Sequence, residues 1–256
     1  MKILSSIPNL ITAANLMCGV FGIKFLMDTF AGGCLESNLN SIKKAACFVI
    51  VGAFLDLFDG LLARILKVDS KIGKYLDSLA DLITFGVLPS FILYSLSTFG
   101  LQMFYAKSLN NFEIIKLGPL LLPIFTAYRL ARFNTINDSE YFTGLSSTAV
   151  GIFTSLLAIM SGNKNSKVLQ GIILDPYIIL FLSLFLSLLM VSNVKFFSLK
   201  FKTLSPKDNY FRYIIILTFI ILSSIYYING LMISLCLYIF LGILNELWRI
   251  LCQFLG

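Results

Sequence analysis

The chain has 256 residues, of which 58% are hydrophobic and 13% are charged, and its mean hydropathy is +0.89. Soluble domains are typically about 25% charged, so this composition excludes an ordinary soluble protein. The net charge of +7 suits an anionic membrane surface or a phosphate-bearing substrate. It does not indicate nucleic acid, because the basic residues stand in short loops between apolar stretches. The chain has no histidine, which excludes histidine-ligated metals and histidine-based nucleophilic catalysis.

A membrane-spanning helix needs about 20 apolar residues, and eight stretches of the chain qualify. In chain order they are residues 8–30, 45–66, 76–99, 118–136, 145–160, 172–192, 211–228 and 231–251. The fifth is short, and a tight turn at Asn229-Gly230 separates the last two. The sequence therefore predicts an all-α, polytopic transmembrane helix bundle of about eight spans. Residues 1–202 form a six-helix core in this prediction, and residues 203–256 form a C-terminal transmembrane hairpin.

The lysines and arginines of the short loops predict the orientation of the bundle. With the N-terminus inside, thirteen basic residues fall on the inner face and six on the outer face. Positive loops stay in the cytoplasm, so both termini and the loop after the second span are expected there. The expected location is the cell (cytoplasmic) membrane.

Four carboxylates lie where apolar side chains are expected. Asp56 and Asp59 belong to the second span, and Asp77 and Asp81 lie near the start of the third. Spacings of three and four residues place each pair on one face of its helix. The connection between the two spans is short, so an antiparallel helix hairpin would gather all four near the cytoplasmic boundary. Ionisable groups inside spans are costly and usually functional.

A divalent cation would relieve the repulsion among four clustered carboxylates. Ligation by oxygen alone suits Mg²⁺, Mn²⁺ or Ca²⁺, and four carboxylates have the capacity for two ions. The small residues Gly60, Ala63 and Gly73 leave room for a ligand close to the backbone, and Arg64 follows on the same face as a partner for phosphate. The pattern favours a metal-diphosphate site. A cation-coupled transporter and a structural ion pair are the alternatives.

Written out, the stretch is Asp56-x2-Asp59-Gly60-x2-Ala63-Arg64-x8-Gly73-x3-Asp77-x3-Asp81. It resembles the signature of the CDP-alcohol phosphatidyltransferase family at every fixed position. Other stretches resemble one branch of that family, the integral-membrane CDP-diacylglycerol–serine O-phosphatidyltransferases. They are Ile7–Thr12, Arg129–Asn134, Phe142–Leu145, Met190–Asn193 and Phe197–Lys200. The chain departs from the branch after Leu145, where Ser146-Ser147-Thr148 replaces a proline-containing continuation.

The resemblance implies a reaction in which the hydroxyl of L-serine displaces CMP from CDP-diacylglycerol. It also implies Mg²⁺ or Mn²⁺ in a two-ion site, a homodimer and surrounding membrane lipid. Another acceptor, such as glycerol 3-phosphate or inositol phosphate, is the nearest alternative, although its phosphate calls for a denser basic pocket than two arginines.

The resemblance also assigns roles to the matching residues. The metal ligands would be Asp56, Asp59, Asp77 and Asp81, and Asp81 would also act as the catalytic base. The residues expected to bind CDP-diacylglycerol are Gly60, Ala63, Arg64 and Gly73, with Asn9 and Thr12 as weaker candidates. The residues expected to bind serine are Arg129, Arg132, Phe133 and Asn134. The basic residues Lys67, Lys71 and Lys74 are expected to attract anionic head groups or to set topology.

Overall fold

The computed structural model describes residues 2–30, 35–66, 71–104, 113–135, 143–162, 167–194, 196 and 210–255. Over these residues the protein is helical and contains no β-strand, which confirms the all-α prediction. The helices are α1 (Lys2–Phe30), α2 (Leu35–Leu66), α3 (Lys71–Asp81), α4 (Leu88–Phe104), α5 (Glu113–Leu117), α6 (Leu122–Thr135), α7 (Ser147–Met160), α8 (Lys167–Leu174), α9 (Pro176–Val191) and α10 (Tyr210–Leu255). A π-helical turn, Leu82–Val87, joins α3 to α4, and a 3₁₀ turn, Gly118–Leu121, joins α5 to α6.

Some predicted features lie outside the described residues. They are Lys67, Phe142, the Phe197–Lys200 element and the division between residues 202 and 203. The side chain of Lys71 also lies outside them.

Five described helical stretches are long and apolar enough to cross a membrane: Ile7–Thr29, Ser37–Leu66, Ile72–Phe104, Ile114–Thr135 and Leu217–Gln253. The pair α8 and α9, bent by 59° at Asp175, makes a sixth crossing if it is one span. The polytopic character is therefore confirmed. Of the eight predicted spans, the fifth corresponds to α7, which has 14 residues, and the last two both fall within α10.

Helix α10 is broken rather than straight. Tyr227 has φ 50° and ψ −123°, outside the helical region. A β-carbon on Gly230 would collide with the carbonyl of Leu222, although residues eight apart in a continuous helix are about 12 Å apart. The chain thus bends back sharply close to the predicted Asn229-Gly230 turn. We call residues 228–255 the C-terminal arm.

The hydrophobic core centres on α4, which other helices surround. Leu88, Ile92 and Leu96 on this helix are completely buried. The peripheral helices instead expose large apolar side chains, such as Phe54 at 61% and Phe181 at 70%. Exposed apolar faces on this scale suit a lipid solvent, because the surrounding hydrocarbon is as apolar as the side chains.

The π-helical turn locks the region just after Asp81 between α1 and α2. Thr84 is buried there, and its Oγ1 donates a hydrogen bond to the Asn15 carbonyl at 3.0 Å. A β-carbon on Gly19 would lie 2.8 Å from Thr84 Oγ1, and one on Gly52 would lie 2.5 Å from Thr84 Cγ2. Both glycines therefore permit the close approach that fixes the end of α3.

Candidate active site

Three of the four predicted aspartates converge on one point. Asp56 and Asp59 of α2 and Asp77 of α3 each offer a carboxylate oxygen, and these oxygens all lie within 4.8 Å of one another. The sequence predicted that the two acidic helices would pack on each other as a hairpin. In the structure α2 and α3 each pack mainly on α1 instead. Helix α1 holds the two acidic helices at a separation that leaves a cavity between them.

Asp81 completes the acidic site from deeper in the bundle. It lines the same cavity and is only 9% exposed, and its Oδ1 has no hydrogen-bond partner. Oδ1 of Asp77 is also buried without a partner. Within the described part of the chain, no salt bridge involves any of the four aspartates. Buried carboxylate oxygens normally have partners, so this donor set fits a hard divalent cation such as Mg²⁺ or Mn²⁺.

Thr12 of α1 supports the buried member of the acidic triad. Its Oγ1 lies 2.7 Å from Asp59 Oδ2 and 3.0 Å from the carbonyl of Pro8. Thr12 is 4% exposed and Asp59 is 6% exposed, so the contact is shielded from water. The contact fixes one carboxylate oxygen of Asp59. Thr12 therefore acts on the acidic site through Asp59, whereas Asn9 is half-buried and does not line the cavity.

The cavity beside the aspartates has a volume of about 400 Å³, within the range of small-molecule sites. A β-carbon on Gly60 would meet nothing within 4 Å, so this glycine keeps one wall open. Ala63 and Gly73, predicted to bind the donor, do not line the cavity. The residues that do line it are Asp56, Leu57, Gly60, Leu61, Arg64, Lys74, Asp77, Ser78, Asp81, Arg129, Leu130, Phe133, Asn134, Ser146, Ser147 and Thr148.

The predicted serine-binding residues of α6 divide into two groups. Arg129, Phe133 and Asn134 line the cavity. Arg132 does not, because its guanidinium donates hydrogen bonds to the carbonyl of Val191 at 3.3 Å and to Asn193 Oδ1 at 2.9 Å. Arg132 thus ties the end of α6 to the end of α9.

Arg129 brings a positive charge to the cavity from α6. Its Nη1 donates a hydrogen bond to Ser147 Oγ at 3.4 Å, and it lines the same cavity as Asp81. Asn134 bridges α6 to α3, since its Nδ2 donates to Ser78 Oγ at 2.8 Å. The four aspartates therefore lie on the side of the cavity formed by α2 and α3, which also carries Arg64 and Lys74. Arg129 and several polar side chains lie on the side formed by α6 and α7. We call these two sides the acidic end and the basic end.

The start of α7 forms a wall of the cavity that the sequence did not assign to the site. Ser146 caps the helix by accepting a hydrogen bond from the Ala149 backbone N–H at 3.1 Å. The Ser147 and Thr148 side chains lie on the cavity wall, and the Thr148 hydroxyl approaches Asp56. The only signal in the sequence was the departure from the branch pattern after Leu145.

Gly144 fixes the position of this wall. Its φ of 78° lies in the left-handed region, and a β-carbon there would collide with the Met190 carbonyl. Its backbone N–H donates to the Val194 carbonyl at 2.9 Å, and that of Leu145 donates to the Leu189 carbonyl at 3.2 Å. The Gly-Leu pair therefore fastens the start of α7 to the end of α9.

Comparison with known proteins shows to which family this helix bundle with its aspartate cluster belongs. The family model for CDP-alcohol phosphatidyltransferase matches residues 5–197. The chain belongs to that family.

Individual members of the family that are similar to this chain carry a more specific name. A protein of Bacillus subtilis (strain 168) is 34% identical over 192 residues, covering 74% of this chain and 89% of that protein. One of Helicobacter pylori (strain 26695) is 30% identical over 253 residues, covering 94% and 91%. One of Saccharomyces cerevisiae is 34% identical over 130 residues, covering 47% and 46%. All three are named CDP-diacylglycerol–serine O-phosphatidyltransferase.

Proposed function

We propose that this protein transfers the phosphatidyl group of CDP-diacylglycerol to L-serine, producing phosphatidylserine and CMP. The observation that carries the proposal is the convergence of Asp56, Asp59 and Asp77 within 4.8 Å beside a cavity that also contains Arg129 and Asp81. This arrangement offers one place for a metal-bound diphosphate and another for an amino acid. The names of the similar proteins support serine as the acceptor.

The acidic end of the cavity is proposed to bind the cytidine diphosphate part of the donor. Asp56, Asp59, Asp77 and Asp81 would hold one or two Mg²⁺ or Mn²⁺ ions, whose charge would neutralise the diphosphate oxygens. Gly60 leaves space for the donor, and Arg64 on the same wall pairs with a phosphate oxygen. Ala63, Gly73, Asn9 and Thr12 lie off the cavity wall, so their contribution would be to the packing around the donor rather than to direct contact.

The basic end is proposed to bind serine. The planar guanidinium of Arg129 suits the serine carboxylate, and Asn134 and Phe133 complete that wall. Arg132 would contribute indirectly, since its described hydrogen bonds hold α6 against α9.

Asp81 belongs to the acidic end of the cavity and is proposed as the general base. Its unpartnered Oδ1 accepts the proton of the serine hydroxyl. The hydroxyl oxygen forms a bond to the phosphorus that carries diacylglycerol. The bond from that phosphorus to the bridging oxygen breaks, and CMP leaves with the electron pair.

The orientation follows from the basic residues and is part of the proposal. Arg64, Lys74 and Arg129 line the cavity. Lys43 lies against Gly162, at the end of α7 that is far from the cavity. The end of the bundle with the cavity also carries the excess of basic residues. We therefore propose that the protein lies in the cell membrane, with the cavity and both termini facing the cytoplasm. We also propose a homodimer, on the family resemblance.

An acceptor panel tests the assignment. Purified protein in detergent or vesicles is given CDP-diacylglycerol, Mg²⁺ or Mn²⁺, and one of serine, glycerol 3-phosphate, inositol phosphate or no acceptor. We expect CMP release to depend on serine, to stop with a chelator and to return with either metal. CMP release that is no faster with serine than without it would refute serine as the acceptor.

The Asp77→Asn variant distinguishes an enzyme from a cation-coupled transporter. We expect it to lose CMP release by more than a hundredfold, as for loss of a metal ligand, while vesicles with wild-type protein show no cation-driven uptake. Uptake that requires Asp77 in the absence of CMP release would favour the transporter.

A further inference from the structure

The end of α9 joins the two helices that form the basic end of the cavity. We call residues 191–194 and 196 the exit segment. Arg132, near the end of α6, donates hydrogen bonds to the Val191 carbonyl at 3.3 Å and to Asn193 Oδ1 at 2.9 Å. Gly144, just before α7, donates its backbone N–H to the Val194 carbonyl at 2.9 Å. The exit segment therefore sets the position of α6 relative to α7.

Phe196 fastens the exit segment to the C-terminal arm. Its side chain is 7% exposed and belongs to the hydrophobic core. The centroid of its ring lies 5.8 Å from that of Tyr238, and the two rings are tilted by 34°. A β-carbon on Gly242 would lie 2.5 Å from Cδ1 and 2.6 Å from Cε1 of Phe196. Tyr238 and Gly242 are four residues apart and so share one face of the arm. The ring of Phe196 thus lies directly against the backbone of the arm.

The arm is itself seated on the bundle. Ile239 is 7% exposed and belongs to the hydrophobic core, and Met232, Leu235 and Ile243 pack against that core. Helix α10, which contains the arm, also contacts α7. The arm lies beyond residues 5–197, the region that the family model matches. An element outside that region therefore fixes the ring on which the exit segment is anchored.

We propose that Phe196 is a positioning residue of the acceptor site. The C-terminal arm holds its ring, and the exit segment then keeps α6 and α7 in the relative position that binds the amino-acid acceptor. This inference rests on the proposed function. The described hydrogen bonds of the exit segment go to α6, to α9 and to Gly144, whereas the aspartates belong to α2 and α3. A displaced Phe196 should therefore weaken serine binding and leave donor binding intact.

The test replaces Gly242 with alanine. Carbon atoms in contact are about 3.5–4.0 Å apart, so the new β-carbon would displace the Phe196 ring by about 1 Å. Because a misplacement of about 1 Å at a site can cost up to about 100-fold, we expect the KM for serine to rise at least about fivefold. The KM for CDP-diacylglycerol should stay within about twofold of wild type. A general loss of folded protein would instead lower kcat and leave both KM values unchanged.

The matched control is Gly171→Ala in α8, where a β-carbon would meet nothing within 4 Å. It brings the same gain in helix propensity and should change neither KM.

A double-mutant cycle with Phe196→Leu identifies the route of the effect. Leucine lacks the ring and leaves room for the new β-carbon. Contacting residues give non-additive changes, so Gly242→Ala should change the KM for serine by less than about twofold when Leu already replaces Phe196.

Three outcomes would overturn the positioning role while leaving the proposed function in place. They are a Gly242→Ala variant whose KM for serine matches that of Gly171→Ala, an equal rise in the KM for CDP-diacylglycerol, and full additivity in the cycle. A wild-type protein without serine-dependent CMP release would overturn the proposed function itself, and this role with it.

Discussion

The contact between Thr12 and Asp59 makes a quantitative prediction about the proposed metal site. Thr12→Val keeps the branched shape of the side chain and removes the hydroxyl that lies 2.7 Å from Asp59 Oδ2. The Asp59 carboxylate would lose the contact that fixes one of its oxygens. We expect a higher concentration of Mg²⁺ or Mn²⁺ to be needed for half-maximal activity.

The magnitude follows from the charge and burial of the pair. A hydrogen bond to a charged group contributes about 1.5–3 kcal/mol, and water cannot replace this one because Thr12 and Asp59 are 4% and 6% exposed. A loss of about 2 kcal/mol corresponds to roughly a 30-fold change in a binding constant. This agrees with the 10–100-fold losses in metal affinity that typically follow removal of groups supporting a metal ligand.

The assay is serine-dependent CMP release measured over a series of metal concentrations. Thr12→Ser retains the hydroxyl and should stay within about threefold of wild type. Thr154→Val is the matched control, since Thr154 is fully buried and donates to the Gly151 carbonyl at 2.9 Å in α7. If Thr12→Val needs no more metal than Thr154→Val does, the contact does not support a metal ligand and the reasoning is wrong.

Two further substitutions test the cavity and its wall. Gly60→Leu places a side chain where nothing lies within 4 Å, so we expect the protein to fold. Because the new side chain would fill the cavity, the KM for CDP-diacylglycerol should rise at least tenfold. The control is Gly171→Leu, at an equally open position away from the cavity, which should leave that KM unchanged. An unchanged KM in Gly60→Leu would show that the donor does not occupy this wall. Gly144→Ala forces a side chain into a left-handed conformation against the Met190 carbonyl, which costs about 1–3 kcal/mol. We expect Gly144→Ala to have a lower melting temperature than Gly171→Ala and weaker serine-dependent activity. Equal melting temperatures of the two variants would contradict the role of Gly144 in fastening α7.

The sequence alone determined which carboxylates share a helix face. Spacings of three and four residues put Asp56 with Asp59, and Asp77 with Asp81, on shared helix faces, because helical periodicity is a local property. The same local reasoning located the long apolar helices and the break near Asn229-Gly230. It did not predict the bend of 59° between α8 and α9, because composition does not define the angle at which two helices meet.

Only the tertiary structure decided which side chains meet across different helices. Arg129 and Arg132 are equivalent in sequence, three residues apart on α6, yet Arg129 faces the cavity and Arg132 binds the end of α9. The tertiary structure also decided that α2 and α3 both pack on α1, and that the start of α7 lines the cavity beside the aspartates. Local spacing fixes the face of a single helix on which a residue lies. The partner of that face depends on how distant helices pack, and Gly19, Gly52, Gly144 and Gly242 set that packing by allowing close approach.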